Sequence, residues 1–250
     1  MDLELTGKRA LVTGGSRGIG KAIARQLALE GADVAIAARD QGRLDVAVSE
    51  IGAESGRRIF GVKGDTSDGQ AITAMVKASA DWLGGVDVLV NAAARPGGPQ
   101  PTPRWDAVTE DALLEEIQVK VLGYLRVAQA AAPYMIANDW GRIINISGLA
   151  ARQTGSLIGS VRNVAVSAMS KNLADELAPH GINVVTVHPG ATRTETTGAE
   201  AAAQSPNLVG RIIDAAEVAY VVAFLASPKS VAIDGDTITV GGGVPRVIYY

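Results

Sequence analysis

The residues of this 250-residue chain best suited to chemistry are Thr13-Gly14-Gly15-Ser16-Arg17-Gly18-Ile19-Gly20. A short apolar run, residues 9–13, leads into this segment, and a helical pattern, residues 19–29, leads out of it. A strand that turns on glycines into a helix brings backbone within reach of a pyrophosphate. The helix N-terminus then offers free N–H groups and the positive end of its dipole. A glycine triplet alone is weak evidence; one that ends a strand and opens a helix within a complete βαβ unit points to a dinucleotide. The second strand ends Ala37-Ala38-Arg39, with no carboxylate at position 38. An acidic side chain there would bond the adenosine ribose hydroxyls and repel a 2′-phosphate, whereas Arg17 and Arg39 offer it two guanidinium groups. The expected cofactor is NADP(H) in preference to NAD(H).

Such groups need a scaffold. Strand-like runs at residues 9–13, 33–37, 59–63, 86–91, 142–147, 183–188 and 237–240 alternate with helical patterns at 19–29, 44–55, 68–83, 110–138, 160–178 and 217–225. This alternation predicts an α/β fold: a Rossmann-like, doubly wound, seven-stranded parallel sheet with helices on both faces. No linker, repeat or low-complexity segment divides the chain, so residues 1–250 are expected to form one domain. The Ala-rich stretch 198–204 is expected to be a mobile loop over a site.

Composition excludes several classes. A net charge of −3 leaves no basic footprint for nucleic acid. The absence of cysteine removes disulfides, thiolate catalysis and Cys-ligated zinc. Two histidines, His180 and His188, with no HExxH motif, give no reason to expect a metal. No apolar run approaches the ~18 residues a membrane span needs, and the start does not look like a signal peptide. A cytoplasmic protein with no membrane partner is the expectation.

Several motifs in order resemble the short-chain dehydrogenase/reductase family over nearly the whole chain. They are the glycine turn; Asp65 and Thr66 after the third strand; Asn91-Ala92-Ala93 after the fourth; Pro189-Gly190 with Thr194 after the sixth; and Gly241-Gly242-Gly243 near the end. The resemblance implies that Asp65 bonds the adenine amino group. It implies that Asn91 steadies the central sheet and that Thr194 holds the nicotinamide carboxamide. It also implies a small-molecule substrate and a homotetramer or homodimer built on the two long helices. The apolar tail, residues 244–250, would suit burial against a neighbouring subunit.

Against this stands an absence. The family's proton donor is a tyrosine followed four residues later by a lysine, and none of Tyr124, Tyr134, Tyr220, Tyr249 and Tyr250 has one. Counting back from the well-matched segment 173–190 puts the tyrosine position on Gly159 and the lysine position on Asn163. Ser167-Ala168-Met169-Ser170-Lys171 looks like the missing motif, but accepting Lys171 would delete eight residues from the helix. An apolar stripe, Val161, Val164/Ala165, Ala168, Leu173, Leu177, argues against that deletion. The family's serine falls on Gly148, and Ser147 either replaces it or bonds local backbone. The family's asparagine falls on Lys120, between Val119 and Val121, which favours an inward-facing lysine. The candidate catalytic residues are thus Ser147, Lys120 and Asn163. Gly159 is expected to leave a hole where a phenol would sit. Of Arg162 and Asn163, about 100° apart on a helix, only one is expected to face the cofactor.

Three readings follow. The chain is an oxidoreductase of carbonyls or alcohols whose substitute acid is Lys120 or a water held by Ser147 and Asn163. Alternatively it is a redox-neutral lyase, isomerase or hydrolase in the same pocket, or a non-catalytic NADP-binding subunit or sensor. The loops at 95–104 and 195–210 would shape the substrate pocket, with Arg104 and Trp105 either touching ligand or packing the long helix.

Overall fold

The computed structural model describes residues 1–94, 102–195 and 207–245. The predicted mobile stretch 198–204, most of the loop at 95–104 and the tail beyond 245 lie outside these residues. Seven parallel strands run in the order β3-β2-β1-β4-β5-β6-β9. They are β1 (Arg9–Thr13), β2 (Asp33–Ala38), β3 (Ile59–Lys63), β4 (Val88–Asn91), β5 (Gly141–Ile146), β6 (Ile182–Pro189) and β9 (Thr237–Val240). The intervening numbers belong to a two-stranded sheet that the sequence did not announce, β7 (Thr192–Arg193) and β8 (Ile213–Asp214). Two-residue strands carry no readable period.

Strand side chains alternate between two cores. Ala10 and Val12 face one with Val34, Ile36, Val88 and Val90, and Leu11, Ala35 and Leu89 face the other. The first is covered by α1 (Gly18–Leu29), α2 (Gln41–Ser55) and, from chain end, the helix Ala215–Ala226. The second is covered by α3 (Gly69–Leu83), α5 (Gly123–Ile136) and α6 (Leu157–Leu177). Burial on both faces is why the strands are apolar throughout rather than alternating. Strand order reverses between β1 and β4, and the crevice beyond their carboxyl ends is where such sheets bind ligands.

Two helices differ from expectation. The helix expected at 110–138 is α4 (Glu110–Glu116), a π-helical segment Ile117–Leu122 and α5 in continuous succession. A π segment is rare and clusters at functional sites, and this one carries Lys120. Helix α6 starts at Leu157, and its buried face is Ile158, Arg162, Asn163, Val166, Ser170 and Ala174. Val161 and Val164 are exposed, so the apolar stripe expected from the sequence is not the face that packs. The rejection of Lys171 stands on position instead: it is exposed and paired with Asp175 one turn on. No helix among the described residues is long and apolar enough to cross a membrane.

Candidate functional site

A cavity of about 740 Å³ opens at the carboxyl ends of β1, β4, β5 and β6. Every candidate cofactor-binding and catalytic residue from the sequence lines it except Asn91, which lies behind it. Gly14, Ser16, Arg17, Gly18, Ile19 and Gly20 form one wall; Arg39, Asp65 and Thr66 one end; Ala92 and Ala93 the floor. Pro189, Gly190 and Thr194 stand opposite, and Lys120, Ser147 and Asn163 form the inner end.

The turn needs its glycines for stated reasons. Gly14 has φ +70°, and a β-carbon there would stand 2.8 Å from the Ala92 carbonyl oxygen. A β-carbon on Gly20 would collide with the Gly14 carbonyl oxygen. Helix α1 has no side-chain cap at Arg17, unlike α2 and α3, which Asp40 and Asp68 cap. Its first N–H groups are therefore left for a ligand. One is taken by a carboxylate: Gly18 N–H donates to Glu195 Oε1 at 2.7 Å. That oxygen stands in for a phosphate oxygen, so the cradle fits a dinucleotide's pyrophosphate. Thr13 ties the floor to the turn: its hydroxyl accepts from the N–H groups of Ala92 and Ala93 at 3.2 and 3.3 Å.

Asn91 steadies the sheet. Its Nδ2 donates to Asn145 Oδ1 at 2.9 Å, and Asn145 Nδ2 donates to Ser170 Oγ at 2.9 Å, tying β4, β5 and α6 together. At the opposite end, Arg39 lies 3.9 Å from Asp65, and Asp65 accepts from the backbone and hydroxyl of Ser67. Arg43, which sequence reasoning missed, also lines this end. It lies in the first turn of α2, four residues beyond Arg39.

At the inner end the structure corrects two expectations. Arg162 and Asn163 both line the cavity. Both have partners across the cavity: Arg162 forms a buried ion pair with Glu116 at the end of α4, and Asn163 Oδ1 accepts from Lys120 Nζ of the π segment at 3.0 Å. The expected hole at Gly159 is also partly filled. Ser156 caps α6 by accepting from Gly159 N–H, and a β-carbon on Gly159 would stand 2.7 Å from that Ser156 Oγ. No tyrosine lines the cavity among the described residues. Tyr124 is buried with its hydroxyl donated to the Ile146 carbonyl, and Arg104 and Trp105 lie outside the cavity.

Lys120 is 3% exposed and has no acidic partner among the described residues; its acceptors are Asn163 Oδ1 and the Ser147 carbonyl, the latter at 2.9 Å. Burial disfavours its charged form and lowers its pKa from 10.5 to about 7. The Ser147 hydroxyl donates to the Asn163 carbonyl at 3.1 Å, which commits its proton to backbone. His188, missed as a site residue, lies beneath Gly148. Burial first, then the charges of Arg152 and Lys120, lower its pKa to about 4. It is therefore neutral near pH 7: Nδ1 accepts from Gly148 N–H at 3.2 Å, which puts the ring proton on Nε2, 3.3 Å from Ser167 Oγ.

The short chain dehydrogenase profile matches residues 8–205. A 3-oxoacyl-[acyl-carrier-protein] reductase of Vibrio cholerae is 35% identical, covering 97% of this chain and 99% of that protein. A short chain dehydrogenase from Burkholderia cenocepacia, solved in complex with NADP, is 36% identical with a TM-score of 0.85, over 96% of this chain and 98% of that one. L-Sorbose reductase from Gluconobacter frateurii, solved with NADPH and L-sorbose, is 27% identical with a TM-score of 0.92, over 99% and 100%. Sheet order, glycine turn and near-full-length likeness agree: this chain belongs to the short-chain dehydrogenase/reductase family.

Proposed function

We propose that the chain binds NADP(H) and interconverts a small carbonyl compound and its alcohol, with Lys120 in the acid–base role. The observation that carries this is the single cavity. It joins a phosphate-binding turn and an arginine cluster to a buried lysine whose pKa lies near neutrality. NADP-bound and NADPH-bound relatives support the choice of cofactor.

The turn would hold the pyrophosphate through the N–H groups of α1, and Arg17, Arg39 and Arg43 would bind the 2′-phosphate. Thr194 and the Pro189-Gly190 backbone would hold the nicotinamide. When bound, reduced nicotinamide supplies a hydride to the carbonyl carbon. Lys120 holds the proton that the carbonyl oxygen requires. Two of its N–H groups are directed at Ser147 and Asn163, and an ammonium has a third for the cavity. Asn163 and Ser147 keep the amine in place. A general acid near its own pKa at neutrality is well matched to this task.

The lack of a cavity tyrosine among the described residues supports a second reading, a non-catalytic NADP-binding subunit or sensor. It predicts tight cofactor binding without turnover. The groove between α5 and α6, lined by Leu125, Ala128, Met169 and Leu173, supports assembly with a second copy along these helices.

Calorimetric titration with NADPH and NADH tests the cofactor assignment. Wild type should prefer NADPH. Replacing Arg39 and Arg43 with alanine should weaken NADPH about 10- to 100-fold, the worth of charge-assisted hydrogen bonds, and leave NADH nearly unchanged. Equal loss for both cofactors would remove the phosphate role. Glu195→Gln should tighten NADPH about two- to fivefold, because it removes a carboxylate that competes at a helix N-terminus; unchanged affinity would show that the Gly18 contact does not compete.

A further inference from the structure

Asn163 is held one way round. A lysine donates and never accepts, so the oxygen of the Asn163 amide must face Lys120 Nζ and the nitrogen must face away. Among the described residues Nδ2 donates to no protein acceptor, although Asn163 is only 3% exposed. Its place is defined by Gly148: a β-carbon built there would stand 3.0 Å from Nδ2. The amide nitrogen thus fills the space that glycine leaves at the inner end of the cavity.

Asn163 lines the cavity, so its donor opens on that space, and an acceptor atom brought there by a ligand would pair with it. Ser156 adds a second donor: its oxygen accepts from Gly159 N–H, and its own proton goes to no described residue. Among the described residues no carboxylate lines this end, since the two acids that line the cavity, Asp40 and Asp65, lie with the arginines at the other. A donor-rich, acid-free end suits an oxygen that carries or gains negative charge.

We propose that the Asn163 amide receives the carbonyl oxygen of the substrate, and that Lys120 is the positioning residue that turns Nδ2 towards it. This rests on reading the cavity as a carbonyl–alcohol site. The ligand class is a small ketone or aldehyde; an unreactive amide carbonyl presents the same acceptor. The glycine at 148 is part of the design, because any side chain there would meet the donor.

The test titrates isobutyramide, an unreactive carbonyl probe, into protein saturated with NADP⁺. Asn163→Asp keeps the volume but replaces the donor with an acceptor that pairs with Lys120. Gly148→Ala sets a methyl group on Nδ2, and its φ of 173° suits any residue. Each should weaken the probe about tenfold or more, the loss of one hydrogen bond in a dry site. Lys120→Met should weaken it too, and Lys120→Arg, which keeps a donor to Oδ1, should restore part of the loss. Equal probe affinity in wild type, Asn163→Asp and Gly148→Ala would overturn the inference. So would failure of NADP⁺-bound wild type to bind the probe. Carbonyl turnover is followed separately. Turnover untouched by both variants would overturn the inference and leave the reading of the cavity intact. Probe binding lost in both variants, with no carbonyl turned over by wild type, would sustain the inference and remove that reading.

Discussion

Lys120→Met should lower carbonyl reduction by ~10²–10⁴, the usual range for a positioned general acid, and abolish its pH dependence near neutrality. In wild type the rate of reduction should fall as pH rises through about 7, where the ammonium loses its proton, and alcohol oxidation should rise through the same range. His188 on β6 feels the charge of Lys120 and is neutral above about pH 4, so it adds no titration near 7.

The same lysine leaves a mark on stability. Its pKa is 10.5 unfolded and about 7 folded. Between these values the unfolded chain binds more protons, so stability should climb as pH rises from about 7 towards 10.5. Below about 7 both states are protonated and the full cost of burying the charge is present. Lys120→Met removes that cost and should flatten the climb, with its largest gain over wild type on the acid side. Denaturant unfolding across this range reads the effect without any substrate. Parallel pH profiles for the two proteins would show that Lys120 titrates normally.

Gly20→Ala should remove cofactor binding while leaving the inner end of the cavity in place. A β-carbon at this position collides with the Gly14 carbonyl oxygen, a backbone atom that has no rotamer by which to move away. The turn and the first turn of α1 must separate, costing about 1–3 kcal/mol of stability. The N–H groups of α1 then no longer converge on one phosphate. NADPH affinity should fall at least about 100-fold, or roughly 2.8 kcal/mol, by calorimetry. Retained affinity would show that the turn does not bind the pyrophosphate.

Much of this was legible in the sequence because the signals are local. The glycine turn is a backbone requirement written in residue types, and the apolar strands follow from burial on both faces. The inner end was less legible because it depends on contacts between distant segments. That Lys120 turns inward was suggested by its apolar neighbours, but that it meets Asn163 and Ser147 depends on a π segment with no sequence period of its own. Arg162 could not be read because its partner, Glu116, lies on another helix. Val161 and Val164 misled for the opposite reason: they are apolar but exposed, while the buried face of α6 carries Arg162, Asn163 and Ser170. Apolar periodicity finds the wrong face where the packed face is polar.

The most direct measurement is NADPH consumption by the purified protein against a panel of aldehydes and ketones, on either side of neutrality. The account predicts turnover of at least one small carbonyl, faster on the acid side and lost in Lys120→Met. Tight NADPH binding with no consumption across the panel would contradict it, and the cavity would then belong to a protein that holds the cofactor without using its hydride.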